Sequence, residues 1–155
     1  GAGKSVLLRE LEELVPADER INLNDIDLFC DKTLIDCFSG DWMDTLKTLS
    51  IAGLNEVFCF LNTPANLSQG QKYRFRLAKA LESGRKFIFA DEFCSNLDRI
   101  SASVISHNIQ KHAGRLGLTF ILASSHDDVL MDLQPDVLVI KDFSGNTEVI
   151  YKNQK

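Results

Sequence analysis

Phe87-Ile88-Phe89-Ala90 is a wholly apolar run that ends on two adjacent carboxylates, Asp91 and Glu92. A strand with no polar face must be covered on both sides, which places it inside a sheet sandwiched between helices. The rest of the chain supplies the other layers. Val6–Val15 carries leucines at helical spacing and stops at Pro16, so a helix is predicted there. Ile21–Leu23 reads as a short strand and Asn24–Asp31 as an acidic loop. Trp42–Leu54 and Asn55–Leu61 read as two short helices with a break near Gly53. Gln71–Leu81 is an amphipathic helix closed by Gly84, and Ile100–His112 is another helix. Leu118–Ala123, Val137–Ile140 and Glu148–Tyr151 read as further buried strands, the last two joined through Ser144-Gly145-Asn146. Strands alternating with helices predict an α/β fold with a mainly parallel sheet, which gathers its chemistry at the carboxyl ends of the strands.

With 155 residues, 45% hydrophobic and 25% charged, and with no linker or repeat, the chain reads as one globular domain over residues 1–155. No apolar run approaches the roughly 18 residues needed to span a membrane. A net charge of −5 gives no general attraction to nucleic acid, and the basic cluster Lys72, Arg74, Arg76, Lys79, Arg85 and Lys86 reads as a solvated helix face. Nucleic acid is therefore a partner the sequence allows without indicating it. Cys30, Cys37, Cys59 and Cys94 form no C-x-x-C pair, so they read as buried or idle thiols of a cytoplasmic protein. His107 and His112 do not share a helical face as metal ligands would, and read as surface residues.

Three short segments carry chemistry. Gly1-Ala2-Gly3-Lys4-Ser5 matches the end of G-x-x-x-x-G-K-[ST], with a helix following at once. In such a loop glycines let backbone N–H groups wrap a phosphate, the lysine neutralises its oxygens, and the serine hydroxyl holds Mg²⁺. The motif's opening glycine would precede residue 1, so the domain is expected to continue N-terminally. Asp91 ends a buried strand where it can support Mg²⁺, and Glu92 is placed to act on an attacking water. Leu67-Ser68-Gln69-Gly70-Gln71 opens the basic helix, where small residues and the helix dipole favour a second phosphate. A chain that already has one phosphate loop has use for a second such site only if it grips a nucleotide held by another subunit.

Taken together, these segments resemble the ABC-type ATPases. LSQGQKYRFRLAKAL is similar to their signature motif and helix, usually written LSGGQ, and FIFADE to their Walker B strand. Ser95-Asn96-Leu97-Asp98 resembles the D-loop, and His126, after TFILASS, resembles the switch histidine. Order and spacing agree with the family, Asp91 following Ser68 by 23 positions. The resemblance implies a P-loop α/β core with a helical insertion at about 31–84, and Mg²⁺-dependent hydrolysis of ATP in an ATP-sandwiched homodimer. It assigns Gly1, Ala2, Gly3, Lys4 and Ser5 to phosphates, Ser5 and Asp91 to Mg²⁺, and Glu92 and His126 to catalysis. Ser68, Gln69, Gly70 and Gln71 would face the partner's nucleotide, and Asp98 the interface.

Two departures bear on the wider role. The signature's third position is Gln69 instead of glycine, and no glutamine lies between Lys4 and Ser68, where transporter ATPases keep one. That stretch is also only 64 positions long. Trp42, Met43, Phe58 and Phe60 are expected to form the small core of the insertion. These features point to a soluble module of a larger protein acting on a fused or partner domain of unknown kind. ADEFCSNLDR is similar to prokaryotic ABC-type ATPases fused to a predicted acetyltransferase domain. A transporter's nucleotide-binding subunit and a non-hydrolysing ATP-binding switch are the alternative readings.

Overall fold

The computed structural model describes residues 3–142 and 145–152. In chain order the elements are α1 (Lys4–Glu13), β1 (Arg20–Asn22), α2 (Trp42–Ile51), α3 (Val57–Phe60) and α4 (Gln69–Glu82). They are followed by β2 (Phe87–Ala90), α5 (Arg99–Leu116), β3 (Thr119–Leu122), α6 (Leu130–Leu133), β4 (Val137–Lys141) and β5 (Thr147–Tyr151). Strands β1, β2 and β3 form a parallel sheet in that order, with Ile88 opposite Ile21 on one side and Phe120 on the other.

The apolar run of β2 is central, as its composition requires. Alternation along the strand sends Phe89, with Leu8 of α1, Ala123 and the half-buried Phe87, into a small cluster on one face. Ile88 and Ala90 enter the main cluster on the other face with Phe75 and Leu77 of α4 and Ile105 of α5. Helices therefore cover both faces, giving three layers. The main cluster continues into Leu34, Leu49, Ala52 and Leu54, which ties α2 and the chain before it to α4.

Local chemistry explains the helix limits. Asp41 caps α2 by accepting from Met43 N and Asp44 N, Asp98 caps α5 by accepting from Ser101 N, and Ser68 with Gln71 forms a capping box on α4. Helix α5 runs to Leu116 and ends on Gly117 in the left-handed region, four residues beyond the expected end at His112.

Several expectations are corrected. Strand β3 is only partly covered, and β4 and β5 pair antiparallel as a separate hairpin whose second strand is exposed at every position. The segments Val137–Ile140 and Glu148–Tyr151, expected to be buried strands, instead leave Val139, Ile140, Val149 and Ile150 at the surface. Trp42 is 65% and Phe58 85% exposed, and Met43 is also exposed, so these residues do not form the core of the helical segment. Leu34, Leu49, Leu54 and Cys59 do that instead, with Phe60 packed against them. Helical periodicity finds the apolar residues but not which of them a neighbouring element covers.

The basic face of α4 is not idle either. Arg74 donates to the carbonyls of Gly70 and Gly53, Arg76 to Ile26 O, and Lys79 to Cys37 O at 2.8 Å. Arg85 donates to Asp18 O, and Lys86 lies 4.0 Å from Glu19. These cations staple loops that have few backbone partners of their own, a charge-assisted role that a count of positive residues cannot reveal.

Candidate functional site

Helix α1 begins on Lys4, and Gly3 before it has φ 78°, the left-handed region where glycine has no Cβ to clash. No side chain caps this end and no acidic residue lies in the first turn, so its N–H groups and positive dipole end have no side-chain acceptor. A left-handed residue followed by right-handed ones forms a concave nest of N–H groups suited to an anion. Lys4 is half-buried and Ser5 exposed there. Gly1 and Ala2 lie outside the described residues.

The parallel register brings the ends of β2 and β3 level, Ala90 opposite Leu122. Asp91 and Glu92 leave the sheet directly after β2, and Ser124 to His126 directly after β3. The chain turns sharply here, because Glu92 and Cys94 both have positive φ, 49° and 59°. For non-glycine residues this conformation costs about 1–3 kcal/mol each and persists only where the surroundings enforce it. The enforcement is visible. Asp91 Oδ1 accepts from Glu92 N at 3.0 Å, Phe93 N donates to Ala123 O at 2.7 Å, and Cys94 N donates to the Tyr73 hydroxyl. Burial pushes the Cys94 thiol up to about 12, so it stays protonated and apolar.

Ser124 ties the two turns together. Its hydroxyl donates toward Phe93 O and His126 O, at 3.3 Å each, and accepts from His126 N at 3.0 Å. Glu92 and His126 are thus carried on loops joined by one side chain, and both are exposed. Sequence reasoning overlooked Ser124; the signal available was a serine two residues before the histidine, positioned to form a local turn.

The signature segment is built equally closely. Ser68 Oγ accepts from Gln71 N, and Gln71 Oε1 accepts from Ser68 N at 3.0 Å, while Gln71 Nε2 approaches Cys59 Sγ. Gln71 is therefore engaged within the chain, and Gln69 is exposed beside it. A Cβ on Gly70 would stand 3.1 Å from Leu97 Cδ2 and 3.6 Å from Asn96 O, so this glycine allows the helix start to lie directly on the Ser95–Asp98 loop. Asp98 takes Ser101 N at 2.9 Å and Ser101 Oγ at 2.7 Å, and the backbone N–H and hydroxyl of Ser101 hold its carboxyl below the usual range. The structure thus joins Gly70 to the Asn96-Leu97 turn, and the Phe93 carbonyl to the His126 backbone through Ser124. Among the described residues no hydrogen bond or ion pair links Lys4 or Ser5 to Asp91, Glu92 or His126.

This arrangement has close counterparts among solved structures. Over 95% of this chain and 80% of theirs, it superposes on the dimeric structure of MJ0796, a bacterial ABC transporter cassette, with a TM-score of 0.70 at 19% identity. The post-hydrolysis state of that cassette, bound to ADP and Pi, gives 0.69 with the same coverage and identity. The fold is that of the ABC ATPase cassettes. Sequence relatives agree: a methionine import ATP-binding protein, MetN 3 of Pectobacterium atrosepticum, is 35% identical over 99 residues, 64% of this chain and 27% of that protein. MetN of Vibrio vulnificus is 31% identical over 109 residues, 70% of this chain and 29% of that protein. The chain therefore spans less than a third of the length of the curated relatives it matches. No protein-family profile matches it.

Proposed function

We propose that this chain is the catalytic unit of an ABC-type ATPase, converting ATP and water to ADP and phosphate in a Mg²⁺-dependent site shared by two head-to-tail copies. The observation that carries this reading is the Ser124 bridge. It ties the backbone of Phe93, the residue after Glu92, to the backbone of His126 at the strand ends of a cassette fold. The left-handed Gly3 before the uncapped start of α1 suits a phosphate, and the motif carries Gly1 and Ala2 ahead of it in sequence. Ser5 hydroxyl and Asp91 carboxylate are hard oxygen donors of the kind Mg²⁺ takes, one or two protein oxygens with the remainder from phosphates and water. The ion would neutralise charge on those phosphates. Glu92 orients and deprotonates the water, His126 donates to the γ-phosphate, and Lys4 balances the charge of the β- and γ-oxygens. Ser68, Gln69, Gly70 and Gln71 address the nucleotide of the second copy, and Asp98 lies at that interface. One chain carries both half-sites, so a symmetric homodimer encloses two nucleotides.

The wider role we propose is that of a cytoplasmic, soluble module within a larger protein, with residues 31–84 as its helical insertion and a fused acetyltransferase-like domain as the neighbour. The absence of glutamine between Lys4 and Ser68 and the resemblance of ADEFCSNLDR support it. A second reading has an observation of its own. The exposed Trp42, Met43 and Phe58, together with the methionine-import relatives, favour a transporter subunit that docks a membrane partner. The described residues contain no helix long and apolar enough to cross a membrane, which either reading accommodates.

Glu92→Gln in the full-length protein tests the chemistry. The variant should keep ATP binding, lose about 10² to 10⁴ in turnover, and accumulate as an ATP-bound dimer on size exclusion. Near wild-type hydrolysis would overturn the role of Glu92. Fractionation of native lysate tests the setting, since stable recovery with a polytopic membrane protein would replace the soluble reading by the transporter one.

A further inference from the structure

Lys141 is the last residue of β4, and pairing with Thr147 of β5 fixes its place. Its side chain reaches back to the start of α1. A Cβ built on Gly3 would stand 3.6 Å from Lys141 Cε and 3.7 Å from Nζ. The surroundings are unfavourable to a cation. The N-terminus of α1 carries the positive end of the helix dipole, no acidic residue occupies the first turn, and Lys4 adds a further positive charge. Asp142, the acid next in sequence, instead accepts from Asn146 N and Nδ2, at 2.9 Å each. The Lys141 side chain is half-buried, and its ammonium makes no hydrogen bond or ion pair among the described residues.

A long side chain with considerable rotamer entropy does not settle among like charges for its own sake. An anion between these groups reverses the balance, because each positive element then meets a shared partner. We propose that Lys141 is a second phosphate-binding cation of the nucleotide site, delivered by the β4–β5 hairpin to the phosphates held at Gly3 and Lys4. This inference rests on the phosphate-site reading above and adds a residue that no motif in the chain marks. The hairpin, otherwise exposed, thereby becomes part of the nucleotide site. As a phosphate-binding residue Lys141 sets affinity and phosphate placement, while Glu92 and His126 act on the reacting atoms.

The test is equilibrium binding of Mg-ATP to the full-length protein, with tripolyphosphate as a competitor that lacks the nucleoside. Lys141→Met and Lys141→Gln should each weaken both ligands by on the order of tenfold, the value of one charge-assisted contact. Both should also flatten the dependence of affinity on salt, and Lys141→Arg should restore most of the loss. Unliganded melting temperatures should stay close to wild type, since the side chain has no hydrogen-bond or ion-pair partner to lose among the described residues. Unchanged ATP and tripolyphosphate affinities in the Met and Gln variants, with Lys4→Ala strongly impaired, would overturn this inference alone. Should Lys4→Ala also bind normally, the phosphate-site reading falls, and the inference with it.

Discussion

The hydroxyl of Tyr73, buried in α4, accepts the backbone N–H of Cys94 at 3.2 Å. This bond connects the signature helix to the turn that follows Asp91 and Glu92, and the Tyr73 ring stands edge-on to Phe93 at 6.4 Å. The segment proposed to address one nucleotide and the carboxylate proposed to act on another are thus joined through one hydrogen bond and one ring contact within the chain.

Tyr73→Phe should keep the ring contact and orphan the Cys94 N–H in a buried position. An unsatisfied buried donor costs about 1–3 kcal/mol, which for a domain of this size lowers the melting temperature by roughly 2–4 °C per kcal/mol. Urea titration should show the loss at unchanged slope. An unaltered midpoint would mean that the bond contributes nothing net.

Gly70 offers a graded probe of the contact between α4 and the Ser95–Asp98 loop. Alanine relieves the glycine cost of about 1 kcal/mol in a helix but crowds Leu97 Cδ2 at 3.1 Å. Gly70→Ala should therefore change stability by less than about 1 kcal/mol, the two effects opposing one another. Gly70→Val adds branches that also meet the Asn96 carbonyl, and overpacking of this kind costs about 1–3 kcal/mol. ATPase assays on the full-length protein should rank wild type, alanine and valine in that order. A valine variant as active and stable as wild type would show the loop to be free of the helix.

The proposed shared site predicts complementation. On that reading Ser68→Arg puts a bulky cation where the second copy's phosphate would meet α4, so dimerisation and turnover should fail while each monomer still binds ATP. Loss of the cap will itself cost about 1 kcal/mol, and a melting curve should confirm that the variant is folded. Mixing it with Lys4→Ala yields heterodimers in which one site carries both lesions and the other is intact. Some hydrolysis should return. Proven heterodimers no more active than either parent would argue against two-chain sites.

Glu82 gives a pH-dependent prediction. Burial raises its carboxyl, but hydrogen bonds from Lys79 and from the N–H and hydroxyl of Ser39 outweigh burial and hold it below its ordinary 4.5. Ser39 N approaches to 2.6 Å and Ser39 Oγ to 3.0 Å. A group with a depressed folded-state pKa contributes stability that is present above the unfolded value and lost as pH falls through the folded one. Glu82→Gln should therefore cost about 1–2 kcal/mol at pH 7, with the difference from wild type shrinking below pH 4.5. A constant difference down to acid pH would show the ionised carboxylate to be irrelevant.

The sequence and the structure agree best where one local cause decides the outcome. Phe87–Ala90 is a buried central strand because nothing in it tolerates water, and the positions of Gly3, Asp91, Glu92 and Ser68 follow from the elements that flank them. Agreement fails where an outcome depends on what lies across a gap. Phe58 and Trp42 are as apolar as Leu49 and Leu54, yet only the latter pair meets α4 and α5. Arg74, Arg76 and Lys79 carry the charges of a solvated face, but distant carbonyls need their donors. Ser124 and Tyr73 escaped notice because the tie each makes to the turn after β2, from Ser124 to Phe93 and from Tyr73 to Cys94, spans more than 20 positions.

The left-handed turn at Glu92 and Cys94 has a consequence for how this chain would evolve under different selections. Glycine or asparagine relaxes such a turn, so a variant library sorted for abundance alone should drift toward those residues at both positions. Sorted for ATP turnover, the same library should accept them only at 94 and return glutamate at 92. Return of glutamate at 92 against its own backbone preference would record a demand that folding does not make.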